Sequence, residues 1–188
     1  MNDESTAGRD PLSETLAAAT KQAQSVTFEG KRIASSLDGA TRRSVPTHVD
    51  DRGFLVELFN PAWDFVTQPF AYAYATTVRP NYAKGWGMHK EHDDRYFLLF
   101  GEVEIVLYDV RPESSTCGQI SIVRMSEYDR GLLTIPAFVW HALRNLGAKD
   151  AVVVNFPTVA FDHENPDKYG LPLNTPVIPY SFEGIAGW

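Results

Sequence analysis

Two short stretches concentrate the side chains that move protons or hold metals. The first, residues 85–101, reads GWGMHKEHDDRYFLLFG and carries His89, Glu91, His92, Asp93 and Asp94. The second, residues 135–145, reads IPAFVWHALRN, with His141 between Pro136 and Asn145. An imidazole titrates near neutrality, so a partly desolvated pair of histidines suits proton abstraction beside a carbonyl. The same nitrogens, with Glu91, also suit Fe, Mn, Ni or Zn. His89 and His92 are three apart and would face opposite sides of a regular strand. Proton transfer without a cofactor is therefore the first expectation, and a divalent transition metal on His89, His92 and His141 is the alternative. Cys117 lies among Ser114, Ser115 and Thr116 with no basic neighbour in sequence, and is given no nucleophilic role.

The elements around these stretches read as strands. Gly53–Phe59, Phe70–Val78, Gly85–Met88, Tyr96–Phe100, Glu102–Val110, Ile120–Met125, Leu132–Ile135, His141–Asn145 and Ala151–Phe156 are short and rich in β-branched or aromatic residues. Turn formers separate them, among them Arg79-Pro80-Asn81, Gly101, Pro112 through Gly118, and Gly147. Val103, Ile105 and Leu107 alternate with Glu102, Glu104, Val106 and Tyr108, the period of a strand with one face buried. Many short strands at close spacing predict an all-β antiparallel barrel or jelly roll.

Ahead of the barrel, residues 10–24 (DPLSETLAAATKQAQ) predict a short helix capped by Asp10 or Ser13, and residues 1–9 are expected to be mobile. The expected organisation is an N-terminal extension over residues 1–27 and one domain over 28–188. Residues 28–48 serve as a connector, and the segment from Phe161 wraps the barrel.

Composition narrows the function. The chain has 188 residues, 44% of them hydrophobic, enough for one domain with a sizeable core. A net charge of −7 argues against a nucleic-acid surface or an anionic membrane as partner. No apolar run approaches the roughly 20 residues of a spanning helix, and the start lacks the pattern of a secretory signal. The single cysteine fits a reducing compartment, so a cytoplasmic location is expected.

The two histidine stretches resemble the paired motifs of cupins. The second has the spacing P-x-G-x-x-H-x-x-x-N, met by Pro136, His141 and Asn145, with Phe138 in place of the glycine. Over residues 50–182 the chain is similar to the dTDP-4-dehydrorhamnose 3,5-epimerase family. The residues carrying this are Asp51-Arg52-Gly53-Phe54 with Glu57, Gly85–His89, Gly101-Glu102-Val103, Ile135-Pro136 with His141, and DVRPESSTCG at 109–118. The resemblance implies a cupin-type double-stranded barrel and a small-molecule sugar or nucleotide-sugar as partner. It also implies a homodimer in which an N-terminal strand serves the neighbouring site. It makes His89 the base that removes a proton next to a 4-keto group, and Arg52 and Glu57 contacts to the nucleotide. His141 falls near the sugar.

The chain departs from the family at three positions. Trp86 stands where an arginine near the sugar or phosphate is expected, Asn155 where a proton-donating tyrosine is, and Thr175 where a carboxylate partner for the histidine is. Trp86, Arg95, His141 and Asn155 join Arg52 and Glu57 as candidate substrate contacts, while Asp93, Asp94 or Tyr108 could supply the missing acid. The expected activity is an epimerase or isomerase acting on a 4-keto-deoxysugar, with a reaction simpler than double epimerisation. A non-catalytic sugar-binding cupin is a further alternative.

Overall fold

The computed structural model describes residues 10–30, 33 and 36–187. The readings made for residues 1–9 lie outside the described residues. The chain divides into two compact units between residues 34 and 35. In the first, α1 (Pro11–Ala18) begins as expected: Asp10 is the cap, its Oδ1 accepting from the Leu12 amide at 3.1 Å, with Pro11 in the first turn. The helix stops at Ala18 instead of reaching Gln24 and buries no side chain, so no packing offsets the cost of lengthening it.

The second unit is built of strands: β1 (Thr41–Ser44), β2 (Thr47–Asp50), β3 (Gly53–Val56), β4 (Tyr74–Val78), β5 (Tyr82–Met88), β6 (Asp94–Phe100), β7 (Glu102–Asp109), β8 (Ile120–Ser126), β9 (Gly131–Ile135), β10 (Val139–Asn145), β11 (Ala151–Asn155), β12 (Tyr169–Gly170) and β13 (Ala186–Gly187). They pair antiparallel, except that β13 runs parallel to β5. One sheet runs β1-β9-β6-β11-β4. The other runs β12-β5-β10-β7-β8, with β13 beside β5, and β2 and β3 form a separate hairpin. The expected connector over residues 28–48 therefore holds two strands. Arg42 and Arg43 hide β1 from a hydrophobic pattern, but its pairing with Leu132 and Leu133 of β9 makes it a sheet edge.

Alternation along each strand sorts the side chains into three layers. Between the two sheets lie Val78, Tyr96, Leu98, Val103, Ile105, Leu107, Val139, Leu143 and Val153. Outside the second sheet, Ala83, Trp86, Val106 and Ala142 pack on Leu173, Ile178 and Phe182 of the C-terminal segment. Outside the first, Phe97 and Leu132 pack on Val45 and Phe156, with Phe59 and Trp63 alongside. The C-terminal segment wraps the barrel as expected. That wrapping corrects the one-faced reading of β7: Val106 is buried too, and Glu104 is 3% exposed. Its carboxylate meets Arg124 Nη2 at 2.6 Å and accepts the Tyr180 hydroxyl at 2.8 Å, so a charge on the covered face stays paired.

The DVRPESSTCG stretch proves architectural. Asp109 accepts from Arg111 Nε (2.8 Å), Ser114 Oγ (2.6 Å) and Thr116 Oγ1 (2.7 Å), closing the turn between β7 and β8. Arg111 also donates to the Asp38 carbonyl and Thr116 Oγ1 accepts the Asp38 amide, which fastens the chain ahead of β1 to this corner.

Candidate active site

The inner face of the barrel is apolar along most of its length and polar at one end. Parity explains which residues arrive there. Tyr96 and Leu98 face inward on β6, so Asp94 does too. Leu143 and Val139 face inward on β10, and so does His141; Val153 on β11 brings Asn155, and Val78 on β4 brings Tyr74. Register then aligns them, because Asn155 pairs with Tyr96 on one side and Tyr74 on the other. His89 enters from the turn that follows β5, and its ring centroid lies 5.7 Å from that of His141.

Asp94 is the hub. Its carboxylate is 1% exposed, with Oδ2 3.4 Å from His89 Nε2 and 3.3 Å from His141 Nε2, and Oδ1 3.9 Å from His92 Nε2. Asn155 Nδ2 donates to Oδ1 at 2.7 Å and also lies 3.0 Å from the Tyr74 hydroxyl, while Asn155 Oδ1 accepts the Arg95 amide. Asn155 is therefore buried and holds Asp94 and Tyr74 in place; it is not laid open to a ligand as expected.

Backbone carbonyls fix both imidazole tautomers. His89 Nδ1 donates to the Asp167 carbonyl, and His141 Nδ1 donates to the Val139 carbonyl at 3.1 Å. When neutral, each ring must then turn the lone pair of Nε2 toward an anionic oxygen. Among the described residues no good hydrogen-bond donor reaches Asp94 Oδ2. Three acceptors thus converge in a buried space, an arrangement that calls for a shared proton or a cation.

The titration behaviour follows. Burial resists ionisation of Asp94, but His89 and His141 outweigh it and hold the carboxyl well below its usual range. Burial also opposes protonation of His89, yet the hydrogen bond and charge of Asp94, helped by Asp167, win and raise its pKa. For His141 burial prevails over Asp94 and the pKa falls; for His92 burial and the charge of His89 lower it. Burial and then the Asp94 charge push the Tyr74 phenol up to about 12, so it carries its proton at neutral pH.

His92 does not turn away from His89 as it would on a regular strand. Both residues lie past the end of β5, where the strand's two-residue period no longer applies, and their rings meet with centroids 4.1 Å apart. Asp167 organises this turn: its carboxylate accepts the amides of Lys90 (3.0 Å) and Glu91 (2.8 Å) and lies 3.0 Å from His92 Nδ1. The carboxylate beside His89 and His141 is Asp94, while that of Asp167 lies on His92, and Thr175 is buried away from them. Asp167 had no periodic signal, since it sits in an irregular stretch.

Two other expected contacts are corrected. Trp86 is 2% exposed on the outer face of β5, its Nε1 donating to the Leu173 carbonyl at 3.1 Å. It packs with Val106, Ala142 and Phe182 in the outer layer. Arg95 likewise faces outward beside the inward Asp94; its guanidinium binds the carbonyls of Phe156 (2.7 Å), Gln68 (2.8 Å) and Pro69 (2.9 Å) and covers the Phe59 ring. Arg52 and Glu57 belong to the β2–β3 hairpin and its exit. Arg52 is exposed and paired with Asp50 at 2.5 Å, and Glu57 is exposed near Asn60. Neither is hydrogen-bonded or ion-paired to the histidine cluster, and Tyr108 packs on the outer layer.

Histidines at one end of an antiparallel jelly roll are the architecture of cupin enzymes. The dTDP-4-dehydrorhamnose 3,5-epimerase family model matches residues 34–178, and the chain belongs to that family of sugar epimerases. It is 30% identical over 146 residues to the spore coat polysaccharide biosynthesis protein SpsL of Bacillus subtilis, covering 78% of this chain and 96% of that protein. It is 28% identical over 156 residues to the dTDP-4-dehydrorhamnose 3,5-epimerase of Methanothermobacter thermautotrophicus, covering 80% and 82%. A dTDP sugar isomerase from Desulfovibrio desulfuricans superposes with a TM-score of 0.73 at 25% identity, covering 79% of this chain and 94% of that one. No helix among the described residues is long and apolar enough to cross a membrane.

Proposed function

We propose that this enzyme epimerises or isomerises a nucleotide-linked 4-keto-deoxysugar, with His89 as the base, by a reaction simpler than double epimerisation. The observation that carries the reading is the fixed tautomer of His89. Its Nδ1 proton is committed to the Asp167 carbonyl, which leaves Nε2 free to take a proton, and Asp94 stands by to stabilise the imidazolium. In this step the C–H bond beside the ketone breaks, the proton passes to Nε2, and the electron pair becomes the enolate. Tyr74, protonated and tied through Asn155 to Asp94, is the phenol suited to return a proton to carbon. The family and the relatives named as epimerase and dTDP sugar isomerase support the substrate class. Cytoplasmic residence fits the lone, unpaired cysteine.

A homodimer is part of this reading. The β2–β3 hairpin pairs with neither sheet and exposes Val49 (77%), Leu55 (63%) and Phe54 (46%). A second copy covering that face would bring Arg52 and Glu57 toward its own site.

The test is incorporation of solvent deuterium into dTDP-4-keto sugars. Exchange that disappears in His89→Asn supports the reading; no exchange across a broad panel, with binding retained, would instead favour a sugar-binding cupin.

One observation favours a second reading, a divalent transition metal held by His89, His141 and Asp94 with His92 at hand. The three acceptor atoms lie within 4.8 Å of one another. Ligands of a tetrahedral zinc stand about 3.4 Å apart, given metal–nitrogen bonds of about 2.1 Å, and the 3.3 and 3.4 Å separations of Asp94 from the two imidazoles fit. Elemental analysis of purified protein separates the two, because one metal per chain would occupy the nitrogen that the first reading needs as a base.

A further inference from the structure

Phe138 carries two costs at once. It adopts φ 60°, in the left-handed region that disfavours a bulky side chain, at the position where the cupin-like motif calls for glycine. The other non-glycine residue described there is Asn81, a type that tolerates the conformation. The phenyl group is also 42% exposed and stacks on no other ring among the described residues, so burial returns little of the backbone cost.

What holds it there is the site itself. The Phe138 amide donates to the His89 carbonyl at 2.8 Å, and the preceding Ala137 amide donates to Asp93 Oδ1 at 2.9 Å. The turn between β9 and β10 is therefore sewn to the turn that presents His89 and His92, and the two turns make the rim of the polar end of the barrel. Glycine would serve the turn better than phenylalanine does. A strained, exposed aromatic residue at such a rim points to a use in ligand binding.

We propose that Phe138 is a specificity-determining residue whose ring forms one wall for the sugar bound over His89. The inference rests on the keto-sugar reading above and goes further by assigning the contact. An aromatic face suits the C–H-rich side of a deoxysugar ring, and it would act on the sugar and not on the nucleotide.

The experiment is calorimetric titration of wild type, Phe138→Gly and Phe138→Tyr with dTDP-4-keto-6-deoxyglucose and with dTDP alone, together with thermal unfolding. Phe138→Gly is expected to weaken the sugar nucleotide about tenfold and to leave dTDP binding within about twofold. Its Tm should equal or exceed that of wild type, and Phe138→Tyr should bind as wild type does. Unchanged sugar-nucleotide affinity in Phe138→Gly overturns the inference while leaving the keto-sugar reading intact, as does a Tm several degrees lower, which would make the ring a structural element. Wild-type protein that neither binds nor exchanges the sugar overturns both.

Discussion

Asp94 Oδ2 stands 3.4 Å from His89 Nε2, in a space where the carboxylate is 1% exposed and the imidazole 14%. The relationship raises the basicity of one nitrogen and keeps the other committed to the Asp167 carbonyl. On the proposed reading this makes His89 a stronger base than a free imidazole, at the cost of holding its proton longer.

That cost sets a pH dependence. His89 must be neutral to accept a proton, so kcat/KM should fall as pH drops through its raised pKa. The acid limb should therefore lie above about 6.5, the ordinary imidazole value. In Asp94→Asn the burial that opposes protonation remains and the charge does not, so the limb should move to lower pH. A pH–rate profile in which Asp94→Asn leaves the limb in place would assign the base elsewhere.

The Asp109 corner predicts acid sensitivity. Burial would raise this carboxyl, but its bonds from Arg111, Ser114 and Thr116 hold it well below the usual range. A depressed carboxyl contributes stability that is complete above its unfolded pKa of about 3.9 and is lost as pH falls toward the folded value. Asp109→Asn should cost about 3 kcal/mol at pH 7. The difference from wild type should shrink at pH 3, as urea midpoints would show.

Trp86 should matter for folding and not for binding. Trp86→Ala should cost about 3–5 kcal/mol, and Trp86→Phe less, with the bond to Leu173 lost. Both should leave the affinity for a sugar nucleotide within about twofold of wild type by calorimetry. A selective loss of affinity in Trp86→Phe would restore it to the site.

The hairpin predicts association. Leu55→Glu should place a charge in the apolar face with Val49 and Phe54, and sedimentation should show the dimer weakened at least tenfold, since an unpaired buried charge costs several kcal/mol. Wild-type protein that sediments as a monomer at micromolar concentration would remove the homodimer from the reading.

The pattern of short alternating segments was enough to read the strands from β3 to β11, because burial on a sheet face leaves a two-residue period in the chain. The resemblance of their two segments to the paired cupin motifs is what brought His89 and His141 together. The edge strands β1 and β2 escaped, since exposed strands with arginine and threonine carry little apolar signal. Parity, had it been extended from Tyr96 and Leu98, would have turned Asp94 inward and Arg95 outward.

Residue types and their order thus determined a jelly roll, its family, and two imidazoles at one end of it. Only the folded chain decided what surrounds them. Asp167 arrives from 78 positions beyond His89 through an irregular segment, and Tyr74 reaches Asp94 through Asn155 across three paired strands. Such neighbours depend on register and on turns, where a shift of one residue sends a side chain to the opposite face, and a linear sequence does not record that choice.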